Sequence, residues 1–224
     1  MARISKGILG GLSGKIGNVV GSSWRNIDYV RAKGKYSQKE PSEKQLSIQQ
    51  RFKMASDFMR PLSPFINIGF NDRKNRHSYA VVDQIGALIK TGFSGNYPAQ
   101  KLNYPTIQVS RGSLQDLRFL QLTAIMPSVL SFSWEYDEGK YAGHPNDQVF
   151  IIAYEANSHE FYMFDTAKRS DKKFEKELPA RYESRDLHCW LFCLAHEGSA
   201  VSSSQYLLRK GFTKTQPPTA KTAL

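Results

Sequence analysis

From about Tyr104 onward the hydrophobic period of this chain is two, in short runs divided by turn-forming pieces such as Asp137-Glu138-Gly139. That period admits strands and excludes amphipathic helices. The runs predict strands over 118–124, 129–136, 148–155, 160–164, 173–178, 187–195 and 201–208, and seven short strands at this spacing predict a β-sandwich. In the second run Leu130, Phe132 and Trp134 alternate with Ser131, Ser133 and Glu135, so one face is core and the other polar. The runs at 149–154 and 189–195 are apolar on both faces, as central strands covered on both sides are.

Ahead of this region the period is helical. Ser42 and Gln45 make a capping box, and Ile48, Phe52, Ala55, Met59 and Leu62 follow as an apolar stripe at spacings of four and three, which predicts a buried helix face. A second helix is predicted over 78–90, with Val81, Val82, Ile85, Leu88 and Ile89 on one side and Gly92 as its stop. Between the two, 61–70 is apolar but punctuated by Pro61, Pro64 and Gly69, which suits a short helix or a tight loop. Earlier still, Gly7, Gly10, Gly11, Gly14, Gly17 and Gly21 crowd the first 21 residues, so this segment is either mobile or held close against something. Residues 18–24 and 28–33 read as a hairpin about Arg25-Asn26-Ile27, with Tyr29, Arg31 and Lys33 on one face of its second strand and Val30 and Ala32 on the other. A lone hairpin is marginal, so it is expected to pack on another element or another subunit.

Charge divides the chain in the same place as the period. There are 31 Lys+Arg against 20 Asp+Glu, net +11, and residues 1–103 hold 17 of the cations with only 6 carboxylates, leaving 104–224 neutral with 14 of each. A basic excess of this size attracts polyanions, acidic protein surfaces or anionic membranes. The expected class is therefore α+β: a basic, Gly-rich arm, hairpin and helical region over 1–103, a sandwich over 104–210, and a loose tail over 211–224. No apolar run reaches the roughly 18 residues of a membrane span and no secretory signal follows the early cations, which predicts a cytoplasmic protein, later release in a particle remaining compatible. Cys189 and Cys193 share a strand face about 13 Å apart, too far for a disulfide, and are expected as reduced core residues.

Chemistry-bearing patterns are few. Gly10 to Lys15 lacks the glycine and the Ser/Thr of a phosphate-binding loop, Leu9 and Ile16 standing in their places. Gly14-Lys15-Ile16-Gly17 fits the short loop by which some domains clamp a nucleic-acid backbone, though a glycine-permitted turn explains it as well. The histidines at 77, 144, 159, 188 and 196 show no zinc spacing, His188 and Cys189 point to opposite faces of one strand, and His196-Glu197 falls in a turn. No catalytic, cofactor or metal residue is assigned. The best binding candidate is the basic, aromatic stretch 24–36: Arg25, Arg31, Lys33 and Lys35 suit phosphates, while Trp24, Tyr29 and Tyr36 suit base stacking or a protein interface. Lys15 adds to it, and Arg73, Lys74 and Arg76 make a second cluster. Against this stands a plain reading in which the cations aid solubility and Trp24 and Tyr29 are buried under the helices.

Two resemblances follow from these residues. Trp134 on the second strand, Ile152-Ala153-Tyr154 on the third, Leu178-Pro179 leading to Tyr182, and the turn Ala195-His196-Glu197-Gly198-Ser199 before Ser202-Ser203-Ser204 resemble a fibronectin type III module, an immunoglobulin-like sandwich. That resemblance implies binding or spacing rather than catalysis. The whole chain is similar to a Bacteroidota family known only as a domain of unknown function, through Gly14-Lys15-Ile16-Gly17, Val19-Val20-Gly21, Trp24, Tyr29 and Arg31. Pro61-Leu62, Pro64-Phe65, Gly95, Tyr97-Pro98 and Val109-Ser110-Arg111-Gly112-Ser113-Leu114 extend it. The resemblance implies a two-part architecture and a bacterial or phage source. The expected function is a non-enzymatic structural protein that self-associates or docks on a protein scaffold through its basic region, as in a phage or phage-like particle, with sequence-independent nucleic-acid binding as the alternative.

Overall fold

The computed structural model describes residues 3–4, 11–25, 27–34, 40–70, 80–122, 128–137 and 143–211. Its contacts divide into two compact units, Met1–Ser42 and Glu43–Leu224. The predicted tail, apart from its first residue, lies outside the described residues.

The first unit is an antiparallel meander of β1 (Arg3–Ile4), β2 (Leu12–Ile16), β3 (Val19–Trp24) and β4 (Ile27–Ala32), hydrogen-bonded in that order. Of the glycines at 11–21, Gly11 and Gly21 are held close against a neighbour, whereas Gly17 serves a turn. Gly17 takes φ +56° at the first position of the two-residue turn that joins Ile16 to Val19, a conformation such tight hairpins favour in glycine. At Gly21 a Cβ would stand 2.1 Å from the Leu12 carbonyl oxygen, so β2 and β3 close here only because no side chain intervenes. The second hairpin turns more tightly than the sequence suggests, because Ile27 pairs with Trp24 and joins β4 rather than the loop.

The second unit starts with α1 (Glu43–Met59), directly after Ser42, then α2 (Ser63–Gly69) and α3 (Ala80–Thr91). A small antiparallel pair, β5 (Phe93–Ser94) and β6 (Lys101–Leu102), follows. Then come β7 (Arg118–Leu122), β8 (Val129–Glu135), β9 (Gln148–Glu155), β10 (Glu160–Lys168), β11 (Lys173–Glu177), β12 (Leu187–Leu194) and β13 (Gln205–Arg209). They form two antiparallel sheets, β11-β8-β7 and β10-β9-β12-β13. The unit is thus a mixture of helices and antiparallel sheets. Every strand expected from the period-two runs is present, with ends shifted by a few residues. The fourth strand is longer, running on to Lys168, and the last begins only at Gln205, Val201 and Ser202 making isolated bridges.

Two cores meet at the four-stranded sheet. On one side Leu130, Phe132, Trp134 and Phe174 of the three-stranded sheet pack against Val149, Ile151, Ala153, Leu187, Cys189, Leu191 and Cys193. On the other side Phe150, Ile152, Tyr154, Trp190 and Phe192 pack against Ala55, Phe58, Met59, Leu62, Ile66, Ile85 and Leu88 of the helical segment. Strands β9 and β12 are therefore covered on both faces, and that is why both read as unbroken apolar runs. Both thiols are free and lie in the inter-sheet core, where burial raises each to about 12.

Three expectations change. The boundary read from charge falls at 103/104, whereas the contacts divide at 42/43, because the helices complete a core with β9 and β12. Charge reports the solvent side of a chain and is blind to which apolar faces meet. Second, the stripe on α1 is only half buried: Ala55 and Met59 reach the core with Phe58, but Ile48 and Phe52 are 59 % and 52 % exposed. The helix meets the core only from Ala55 onward, so its first half keeps the period without a surface to bury it. Third, Val82 on α3 is exposed while Ile85 and Leu88 carry the packing; Ser78 and Tyr79 of the predicted start lie outside the described residues. No helix among the described residues is long and apolar enough to cross a membrane.

Candidate functional site

The register of the N-terminal sheet decides which of its side chains share a face, since residues directly opposite across a ladder project the same way. Val20 faces Arg31, Ser22 faces Tyr29, Trp24 faces Ile27, and Lys15 faces Val20. Lys15, Trp24, Tyr29 and Arg31 consequently stand together on one front face with Ile27. Arg25, in the turn at φ 49°, lays its guanidinium over the Trp24 ring at 4.8 Å. Lys33, one residue beyond β4, continues the ladder by donating its backbone N–H to Asn18 O at 2.7 Å. Trp24 is 61 % and Tyr29 41 % exposed, so neither is a buried side chain. Lys35, Tyr36, Arg73, Lys74 and Arg76 lie outside the described residues.

The reverse face is different in kind, and the sequence reading reached only its Val30 and Ala32. It carries Leu12 and Ile16 from β2, Val19 from β3, and Val30 and Ala32 from β4, with Asp28 at one end and no Lys or Arg among the described residues. Ile16 and Val30 are more than half exposed. The signal was present in the alternation of 12–32, where both odd and even positions hold apolar residues, but it shows only once the register is known.

Elsewhere the polar clusters hold the fold together. His188 and Cys189 do point apart: the thiol enters the inter-sheet core, while the imidazole stacks on Tyr104 at 3.9 Å and meets Tyr206 Oη at 2.7 Å. A thiol raised to about 12 is a poor nucleophile at neutral pH. His144, Asp147 and His196 bring their ligand atoms within 4.8 Å of one another. The two imidazoles, however, stack at 3.8 Å and 19°. A metal ion sits in the plane of each ring that binds it, and two nearly parallel planes this far apart share no such point. Asp147 is also engaged: its carboxylate accepts the backbone N–H of His144 and His196 and the Nε–H of Arg169 at 3.1 Å, a buried ion pair. Arg169 in turn donates to the carbonyls of Gln115 and Asp116. The group is a staple joining the segment before β9, the end of β10 and the turn after β12. Glu155 plays the same part at the β9–β10 turn. Burial alone would raise its carboxyl, but the N–H groups of Asn157 and Ser158 and the Arg185 guanidinium outweigh this and hold it at about 2.

Comparison with known proteins adds a family. The model of a family of unknown function, DUF6266, matches residues 11–208, spanning both the N-terminal sheet and the strands of the second unit. No curated protein matches the chain. Among solved structures, the chain is similar to the fn3 domain of human collagen alpha-1(XX) chain, with a TM-score of 0.35 and 12 % identity over 47 % of this chain and 92 % of that one. It is likewise similar to the fn3 domain of human contactin 1, with a TM-score of 0.29 and 10 % identity over 48 % and 87 %.

Proposed function

The chain belongs to the DUF6266 family of unknown function, and we propose that it is a non-enzymatic assembly protein that self-associates through its N-terminal sheet. The observation that carries this reading is the exposed apolar reverse face of the sheet, on which Ile16 and Val30 are more than half exposed. A small isolated sheet is marginal, and it gains stability when its apolar face is covered. A second copy fits that face best, because its described residues include no Lys or Arg and its carboxylate, Asp28, stands at one end, leaving Ile16, Val19, Val30 and Ala32 to meet their counterparts. The front face, with Lys15, Arg25 and Arg31, would repel its own copy. In the second unit β11-β8-β7 and β10-β9-β12-β13 support a seven-stranded sandwich of the fibronectin type III or immunoglobulin kind, acting as a spacer or binding module. A phage or phage-like particle component with a cytoplasmic origin is one setting for such a protein, and docking on a heterologous scaffold is the variant in which the cover is another chain.

The experiment is size-exclusion chromatography with light scattering, for the wild type and Val30→Lys, at low and high salt. Self-association predicts a mass well above 25.4 kDa that survives salt and falls to the monomer in the variant. A monomer under all conditions overturns it.

The front face favours a second reading, sequence-independent nucleic-acid binding, since exposed Trp24 and Tyr29 among cations offer stacking and phosphate contacts together. Absorbance at 260 nm in the same runs tests it. Nucleic acid should be stripped by salt, with a log-log slope near −0.9 per phosphate contacted on duplex DNA, reduced by about one for each of Lys15→Ala and Arg31→Ala. A salt-insensitive protein with no 260 nm excess removes this reading.

A further inference from the structure

Within the second unit a cavity of about 490 Å³ opens beside α1, walled by the edge of the β9–β10 hairpin and by the segment that follows β6. That volume is within the range of roughly 300–1,000 Å³ in which small molecules are held. Phe58, Tyr104, Tyr154 and Phe161 line it as one continuous aromatic wall. Phe58 meets Tyr154 edge-on at 5.1 Å and 85°, Phe161 at 5.3 Å and 60°, and Tyr154 lies 4.5 Å from Phe161 and 5.6 Å from Tyr104. The polar groups at the cavity are few. Asp57 stands exposed on α1, and Tyr154 Oη is tied to His159 Nδ1 at 2.8 Å. Both tyrosine hydroxyls are held neutral, burial being the larger cause and the Glu155 carboxylate a further one.

We infer that this cavity binds a small organic cation of the alkylammonium class, with Asp57 as its counter-charge and the aromatic wall as its seat. Ring faces carry negative partial charge and attract a positive centre brought within about 6 Å of the centroid. The lining includes a carboxylate and no Lys or Arg among the described residues, in a chain whose net charge is +11. A lining with no Lys or Arg among the described residues, in so basic a protein, offers phosphates and other anions no counter-charge. A neutral apolar ligand would use the rings but leave the carboxylate without a role. The inference stands on the second unit alone and does not depend on self-association.

Choline and its neutral carbon isostere 3,3-dimethylbutan-1-ol separate these outcomes when each is titrated into the full chain by calorimetry. The ε-methyl resonance of Met54, which lines the cavity, reports where binding occurs. Choline is expected to saturate in the millimolar range or below and to shift the Met54 methyl. The isostere, and choline on Asp57→Asn, are expected to bind about tenfold more weakly or worse. Asp57 is exposed, so its replacement leaves the packing intact. The inference is overturned by any of four results: no saturation by choline below about 50 mM, equal binding of the isostere, an unmoved Met54 signal, or unchanged affinity in Asp57→Asn.

Discussion

Two tryptophans mark the two kinds of sheet in this molecule. Trp24 sits in β3 with 61 % of its surface exposed, while Trp190 sits in β12 fully buried, its indole N–H donated to Ile107 O at 3.1 Å. Both strands are antiparallel and hydrogen-bonded on both sides, so the ladder does not distinguish them. What distinguishes them is cover. Trp190 lies under helices on one side of a sheet whose other side is sealed by β8 and β11. Every described residue of β4, next to Trp24's strand, is exposed. Backbone pairing trades water hydrogen bonds for internal ones at modest net gain, and most of a sheet's stability comes from the apolar area it buries. The exposed sheet therefore has apolar area whose burial would add stability.

The largest test of this contrast removes each tryptophan in turn. Trp190→Ala leaves a cavity in a packed core and should cost about 3–5 kcal/mol in denaturant unfolding, whereas Trp24→Ala should change the stability of the second unit by no more than about 0.5 kcal/mol. Similar losses from both would mean that the N-terminal sheet is covered by its own chain. A smaller effect is acid sensitivity at Glu155. Its folded carboxyl is held at about 2 against an ordinary 4.5, so the stabilisation is complete above 4.5 and is lost as the pH falls from there through about 2. Glu155→Gln should flatten unfolding free energy against pH in that window. An unchanged slope would assign the acid response to other carboxylates. The smallest is chemical labelling. Cys189 and Cys193, fully buried, should resist iodoacetamide in the native protein and react only on unfolding. A thiol placed by Ser23→Cys on the reverse face should react at once in dilute protein and become shielded as the chain associates.

How much of this was legible from the residues varies with the physics involved. The alternation of Leu130, Phe132 and Trp134, and the doubly apolar runs of β9 and β12, announced their burial because a strand's two faces are written in its odd and even positions. The helices were visible at period 3.6, but their depth was not: Ile48 and Phe52 keep the stripe and are exposed, since periodicity describes a helix and not the length of the surface beneath it. Among candidate site residues, Trp24, Arg25, Tyr29 and Arg31 drew attention through composition alone. That Lys15 stands with them, with Val20 between it and Arg31, follows from a register set by the Gly17-Asn18 turn and the close approach at Gly21. The cavity beside α1 had no sequence signal, because Asp57, Tyr104, Tyr154 and Phe161 are far apart in the chain. The stacking of His144 on His196 was equally unreadable, joining turns 52 positions apart.

The residues by themselves determined the seven strands after residue 117, the hairpin of β3 and β4, the helices α1 and α3, the reduced state of the two buried thiols and the excess of positive charge in the first 103 positions, because each depends on local period, spacing or composition. Tertiary structure alone decided that the helices complete the core of the four-stranded sheet, that Lys15 and Trp24 join the basic face of β4 while Leu12, Ile16 and Val19 join its apolar face, and that aromatic rings from α1, β9 and β10 wall one cavity. Those outcomes rest on which faces meet across long separations, and they become definite only when the apolar surfaces of distant segments compete for the same cover.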